Sequence, residues 1–205
     1  MLLIELENIS KWFGERQVFE NINLKLESPA SLAIIGPNGC GKTTLLKIIC
    51  GLIRPSRGKV RIKLDGQEVG KEAKRAFCSI VAPDLELYEE LTALENLEFF
   101  TVLRDFKSSR AELNQKLEQV GLKDRGHEPV GSYSSGMKQR LKYAVALSVS
   151  PQVLILDEPS SNLDEEGIFL MEKLIENQKK DRLVILATNA LKETQYAQQI
   201  FRLGN

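Results

Sequence analysis

Hydrophobic and polar residues follow two strand-like patterns along the chain. Leu2, Ile4 and Leu6 alternate with polar residues, and residues 19–26 repeat this alternation, which predicts an antiparallel hairpin or small sheet. The runs 31–35, 153–156 and 183–188 are almost continuously apolar, as in strands that are buried on both faces. They predict a mainly parallel central sheet covered by helices.

A helical segment is predicted between the strands, over residues from about 85 to 140. Thr92 with Glu95, and Ser109 with Glu112, have the spacing of capping boxes that start helices. Apolar residues follow each box at helical spacing: Leu94, Leu97, Phe100 and Leu103 after the first, and Leu113, Leu117 and Val120 after the second. This segment reads as a helical insertion in an α/β core.

Composition excludes several classes of protein. Lys and Arg total 28, as do Asp and Glu, so the net charge of zero argues against a nucleic-acid partner. The three cysteines, at 40, 50 and 78, form no C-x-x-C pair, which argues against a disulfide or zinc framework and favours a reducing compartment. The apolar runs are far shorter than the ~20 residues of a membrane-spanning helix, so we expect no direct membrane insertion.

Residues 36–43, Gly-Pro-Asn-Gly-Cys-Gly-Lys-Thr, match the phosphate-loop pattern G-x-x-x-x-G-K-[ST] between a strand and a helix. Backbone N–H groups and the positive end of the helix would bind a polyphosphate. Lys42 is expected to bridge the β- and γ-phosphates, and the Thr43 hydroxyl to ligate Mg²⁺. The predicted nucleotide-binding residues of this segment are Gly36, Pro37, Asn38, Gly39, Cys40, Gly41, Lys42, Thr43 and Thr44.

A second element of the same chemistry ends the apolar run 153–156. Asp157 is expected to hold Mg²⁺ through water, and Glu158 to polarise the water that attacks the γ-phosphate. An Asp-Glu pair alone is more typical of a solvated turn, but the phosphate loop favours the catalytic role. ATP and Mg²⁺ are therefore the predicted ligands.

Together these elements resemble the ATP-binding-cassette ATPases, the nucleotide-binding subunits of ABC transporters, over nearly the whole chain. Residues 133–140, Tyr-Ser-Ser-Gly-Met-Lys-Gln-Arg, are similar to the family signature, and 159–164 are similar to its D-loop. The resemblance implies an α/β fold: a P-loop NTPase core with a mainly parallel sheet, a small antiparallel β subdomain and an inserted α-helical subdomain. In this single domain, 1–84 and 141–205 would form the β subdomain and core, and about 85–140 the helical subdomain with the signature.

Two further nucleotide contacts come from the resemblance. Ser134 and Gly136 begin a predicted helix, and that end would meet ATP held by a second ABC ATPase subunit, either an identical copy or a different chain; an ordinary capped helix is the alternative. The adenine-stacking aromatic residue of the family aligns with Phe13. Trp12 could substitute, and core packing is nearly as plausible for either aromatic residue.

The sequence departs from the family at two positions. Pro83 aligns with a glutamine that contacts Mg²⁺ and the attacking water; Asp84 could replace it through water, or the pair is simply a turn. Asn189 aligns with a histidine that senses the γ-phosphate, and its amide can donate a hydrogen bond but carries no charge. We expect Glu158, Lys42 and Asn189 to act in catalysis, with slower or differently coupled hydrolysis.

The function implied by the resemblance is ATP hydrolysis that powers transport through a separate transmembrane permease by ATP-driven dimerisation, on the cytoplasmic face of the membrane. Leu85, Leu87 and Tyr88 border the groove that receives a permease helix in this family, or they pack inward. Two alternatives remain open: a soluble ABC ATPase that acts without a membrane subunit, and a nucleotide-binding subunit with weak hydrolysis.

Overall fold

A computed structural model describes residues 1–70 and 74–204. The strands of these residues are β1 (Leu2–Phe13), β2 (Arg16–Glu27), β3 (Ala30–Ile35), β4 (Arg57–Leu64), β5 (Gln67–Glu68), β6 (Cys78–Val81), β7 (Val153–Asp157), β8 (Leu183–Thr188) and β9 (Gln199–Arg202). The helices are α1 (Lys42–Ile49), α2 (Lys74–Phe77), α3 (Ala93–Leu103), α4 (Arg110–Gln119), α5 (Ser135–Ser148) and α6 (Glu165–Gln178), with short 3₁₀ segments at 123–125, 130–132 and 191–196.

Contacts divide the chain into two compact units. The core unit is Met1–Ile80, Gln152–Glu158 and Glu176–Asn205, and the helical unit is Val81–Pro151 and Pro159–Ile175. The helical unit contains α5 in full. The subdomain boundaries expected from the sequence, near 84 and 140, stay a prediction.

The core unit contains both predicted sheets. A four-stranded antiparallel sheet has the order β2-β1-β4-β5, and β1 pairs with β2 with Ile4 opposite Leu26. A five-stranded sheet has the order β6-β7-β8-β3-β9, in which β7, β8, β3 and β9 run parallel to their neighbours. Every residue of β3, β7 and β8 is buried, so the continuously apolar runs are confirmed as strands covered on both faces.

The hydrophobic core joins the two sheets through α1. Leu45, Leu46, Ile48 and Ile49 of this helix are at most 1% exposed and pack in one cluster with residues of both sheets. The phosphate loop leads directly into α1. Burial of α1 in the core therefore fixes the position of the phosphate loop as well. Cys50 and Cys78 belong to the same cluster.

The helical unit begins its helices where the sequence predicts. Both capping boxes form: Thr92 and Ser109 accept the backbone N–H groups of Glu95 and Glu112, whose carboxylates accept the cap N–H groups in return. The helix indicated by the apolar spacing is confirmed and ends at Leu103, whose side chain is 67% exposed. With 3.6 residues per turn, the buried stripe continues from Leu97 to Thr101 instead.

Candidate nucleotide and hydrolysis site

The phosphate loop turns tightly between β3 and α1. Gly41, at the start of α1, has φ +104°, and a Cβ added there would lie 2.4 Å from Val18 Cγ1. A Cβ added to Gly36 would lie 2.2 Å from the carbonyl oxygen of Leu203. These two glycines are required by backbone geometry, and the loop presents the N-terminus of α1 to its centre.

Lys42 extends along this loop and is only 6% exposed. Its ammonium donates to the carbonyl oxygens of Gly36, at 2.9 Å, and Pro37, at 3.3 Å. The Nζ atom also lies 3.9 Å from Glu158 Oε1. The structure therefore brings the lysine of the first motif and the glutamate of the second together at the loop.

Thr43 and Asp157 are joined directly, since the threonine hydroxyl donates to Asp157 Oδ2 at 2.5 Å. Asp157 is 3% exposed at the end of β7. A hydroxyl and a carboxylate oxygen are the hard donors that Mg²⁺ prefers, so this pair fits the ion. Among the described residues no cluster of three or more His, Cys, Asp or Glu side chains could hold a metal.

Glu158 follows β7 with its backbone in the left-handed region, at φ +51°. Its N–H donates to the carbonyl oxygen of Ala187 at 2.8 Å, which ties it to β8. Burial raises the pKa of Glu158 above the ordinary value of a glutamate, while the neighbouring Lys42 charge lowers it and Glu193 raises it. The raised pKa makes this carboxylate a better acceptor for the proton of an attacking water.

Asn189, the first residue after β8, contacts two parts of the site. Its backbone N–H donates to the Glu158 carboxylate. Its side-chain Nδ2 donates to Oδ1 of Asn38 in the phosphate loop, at 2.9 Å. All three predicted catalytic residues thus lie in one cluster of the core unit, although their roles stay a prediction.

The signature lies in the helical unit and starts α5. Ser134 is the N-cap, and its Oγ accepts the N–H of Met137 at 3.2 Å. A Cβ on Gly136 would lie 3.0 Å from the carbonyl oxygen of Asn162, so the glycine allows the D-loop to approach. Nucleotide binding by Ser134 and Gly136 stays a prediction. Tyr133 donates to the Arg125 carbonyl oxygen at 2.6 Å, and burial raises the pKa of Tyr133 to about 12.

Phe13 ends β1 and is 52% exposed, so its ring is not a core residue. Lys11 Nζ lies 4.6 Å from the centroid of this ring. The Trp12 ring is half-buried and has the Arg57 guanidinium 5.4 Å from its centroid. An exposed face at Phe13 suits stacking, but adenine binding there stays a prediction.

Pro83 follows β6 and is exposed, like Asp84. The Lys142 ammonium of α5 donates to the carbonyl oxygens of Ala82, at 3.3 Å, and Pro83, at 3.1 Å. Burial lowers the pKa of Lys142, and Asp84 raises it. Lys142 thus links the signature helix α5 to the loop at Pro83, the position where the family has a glutamine. The sequence analysis did not predict this contact.

Two other residues of the helical unit were missed. Tyr143, 1% exposed on α5, donates to the carbonyl oxygen of Pro159 at 2.7 Å and so holds the start of the D-loop. Asn96 of α3 is fully buried and bonds to both backbone polar groups of Tyr88. The sequence signal for these contacts is an asparagine or tyrosine among the apolar residues of a helix. Such a polar group needs a hydrogen-bond partner once it is buried.

A groove of about 410 Å³ lies within the helical unit. Leu85 and Leu87 are half-buried and line it, together with Glu86, Lys138 and Lys142. Tyr88 does not line it and instead makes an edge contact with Phe99, with ring centroids 4.7 Å apart. No helix of the described residues combines the length and apolar character needed to cross a bilayer.

A phosphate loop with its lysine, a Thr–Asp pair and a glutamate at the strand ends of a parallel sheet defines the chain as a P-loop nucleotide-hydrolysing protein. The family model described as ABC transporter matches residues 19–161. The chain therefore belongs to the ABC transporter family. Within it, the chain is an ATP-binding ATPase subunit.

Individual relatives agree with this assignment. The lantibiotic transport ATP-binding protein SrtF of Streptococcus pyogenes is 34% identical over 91% of this chain and 80% of its own length. The uncharacterized ABC transporter ATP-binding protein MJ1508 of Methanocaldococcus jannaschii is 35% identical over 98% of this chain and 95% of its own length. A solved structure of an ATP binding subunit of an ABC transporter has a TM-score of 0.86 and 29% identity, over 98% of this chain and 85% of that chain.

Proposed function

We propose that the chain hydrolyses Mg²⁺-ATP to power a separate membrane permease, and that Glu158 is the general base. The observation that carries the proposal is the cluster of Lys42, Thr43, Asp157 and Glu158, with Nζ of the lysine 3.9 Å from the glutamate and the Thr–Asp pair beside them. Water attacks the γ-phosphorus, the bond to the bridging oxygen breaks, and ADP and inorganic phosphate leave. Glu158 accepts the proton of the attacking water.

The other residues of the cluster stabilise charge. Lys42 neutralises the β- and γ-phosphates, aided by the N–H groups at the start of α1. Thr43 and Asp157 hold Mg²⁺, which when bound neutralises charge that develops on the phosphate oxygens. Asn189 donates a hydrogen bond to the γ-phosphate, without the charge that a histidine could carry. Hydrolysis is consequently slower than with the usual residues at positions 83 and 189.

The proposal includes two protein partners. Ser134 and Gly136 contact ATP of a second ABC ATPase subunit, so ATP binding drives dimerisation. The permease docks in the groove lined by Leu85 and Leu87, on the cytoplasmic face of the membrane. The Streptococcus pyogenes relative is a lantibiotic transport ATP-binding protein, which supports a transport role for this chain.

The test compares the ATPase turnover of the purified chain with that of Glu158→Gln. We expect the substitution to lower kcat by about 100-fold or more, the usual contribution of a general base, while ATP still binds. Size-exclusion chromatography in ATP and Mg²⁺ should then reveal a trapped dimer. Glu165→Gln, at an exposed position in the first turn of α6, is the matched control and should retain wild-type turnover.

Two outcomes would revise the proposal. Equal turnover in wild type and Glu158→Gln would remove Glu158 as the base. ATP binding without measurable turnover in the wild type would favour the second candidate, a nucleotide-binding subunit with weak hydrolysis, which the absence of a polar side chain at Pro83 supports. In that case, a partner ATPase subunit would have to supply the missing groups.

A further inference from the structure

The side chains of Asn38 and Asn189 form a hydrogen bond between the phosphate loop and the end of β8. Asn189 Nδ2 donates to Asn38 Oδ1 at 2.9 Å, although the two residues are 151 positions apart in sequence. Both residues belong to the core unit and both are exposed. The bond therefore joins two edges of the site at the surface that a nucleotide must approach.

The chemistry of a carboxamide makes this bond an orienting contact. The terminal torsion of asparagine is soft, so an unpartnered Asn189 amide would rotate and exchange its N–H₂ and carbonyl ends. Asn38 Oδ1 accepts a hydrogen bond from one of the two N–H groups of the Asn189 amide. This contact selects the rotation in which the N–H₂ end of Asn189 faces the phosphate loop. The second N–H of Asn189 remains for another acceptor, and the backbone N–H of the same residue contacts Glu158.

We propose that Asn38 is a positioning residue for ATP hydrolysis: its side-chain carbonyl orients the Asn189 carboxamide so that the free N–H donates to the γ-phosphate. This inference rests on the proposed role of Asn189 in hydrolysis. It assigns the Asn38 side chain a role distinct from the backbone contact that the phosphate-loop motif predicts. The pair is uncharged, so its contribution does not depend on a proton that comes and goes near neutral pH.

Steady-state kinetics of Asn38→Ala, Asn189→Ala and the double variant test the pair. We expect each single substitution to lower kcat by about tenfold, the fold-change that a single hydrogen bond supplies, with the KM for ATP changed by less than about threefold. Because the two side chains act through one contact, the double variant should be no slower than either single variant. Asn38→Asp keeps the acceptor, so it should retain most of kcat while its negative charge raises KM.

Asn23→Ala is the matched control, because Asn23 Nδ2 donates to Asn8 Oδ1 at 3.1 Å on the antiparallel sheet. This variant loses a similar amide pair outside the site and should keep wild-type kcat and KM. Thermal unfolding of every variant checks that the fold is intact.

The proposal is overturned if the two alanine effects multiply in the double variant, or if Asn38→Ala raises KM and leaves kcat unchanged. Failure of the proposed function has a different signature, since Glu158→Gln would then have no effect on turnover. If Glu158→Gln abolishes turnover and both asparagine variants remain at wild-type rate, the inference about Asn38 and the proposed role of Asn189 are rejected, whereas Glu158 keeps its role as the general base.

Discussion

Replacing Asn96 with alanine should weaken the helical unit around the loop that borders the groove. The Asn96 side chain is fully buried; its Oδ1 accepts the Tyr88 N–H at 2.9 Å, and its Nδ2 donates to the carbonyl oxygens of Tyr88 and Thr92 at 2.9 and 3.0 Å. At a net ~1 kcal/mol per hydrogen bond, the loss is about 3 kcal/mol. That is a substantial fraction of the 5–15 kcal/mol that typically stabilises a folded protein.

Urea unfolding followed by circular dichroism measures the loss, and hydrogen exchange of residues 88–92 locates it. We expect a lower unfolding midpoint and faster exchange of the Tyr88 amide in Asn96→Ala, with nucleotide affinity unchanged. The control is Asn114→Ala at an exposed position of α4, which should change stability by less than about 0.5 kcal/mol. A loss below about 1 kcal/mol with unchanged exchange at Tyr88 would refute the reasoning.

Two further perturbations test the local geometry. Capping by Thr92 lowers the pKa of Glu95, so the stabilisation by this carboxylate exists above its unfolded-state pKa and is lost as pH falls through the folded value. The difference in urea midpoint between wild type and Glu95→Gln should therefore shrink on acidification; a constant difference would contradict the assignment. Gly41→Ala should lose nucleotide binding, measured by calorimetry, because the new Cβ would lie 2.4 Å from Val18. Gly66→Ala, where φ is also positive at +83° but the space around a Cβ is open, should keep nucleotide binding. Equal loss of binding in both variants would mean that the positive φ, and not the contact with Val18, is the cause.

Local signals carried most of the prediction of the fold. The strands β3, β7 and β8 are short and entirely apolar, and both capping boxes determine helix starts through hydrogen bonds that span only three residues. The phosphate loop was equally predictable, because its glycines are required by the backbone positions they occupy. These features depend on neighbours in sequence, so one sequence is sufficient to find them.

Contacts between distant residues could not be predicted in the same way. The hydrogen bond between Asn38 and Asn189 depends on the order of β3 and β8 in the sheet. The hydrogen bond from Lys142 to the Pro83 carbonyl oxygen depends on how α5 packs in the helical unit. Nothing in the local sequence of Lys142 distinguishes it from an exposed lysine. Leu103 shows the converse, because an apolar residue at helical spacing is exposed where the helix ends.

The contacts of Lys42 have a consequence for the proposed binding of phosphate by this residue. Its ammonium donates hydrogen bonds to the Gly36 and Pro37 carbonyl oxygens and lies near the Glu158 carboxylate. The Lys42 charge lowers the pKa of Glu158, so a phosphate group that drew the lysine away would raise the proton affinity of this carboxylate. In the proposed mechanism, one side chain, Lys42, would thereby link the arrival of a phosphate to the basicity of Glu158.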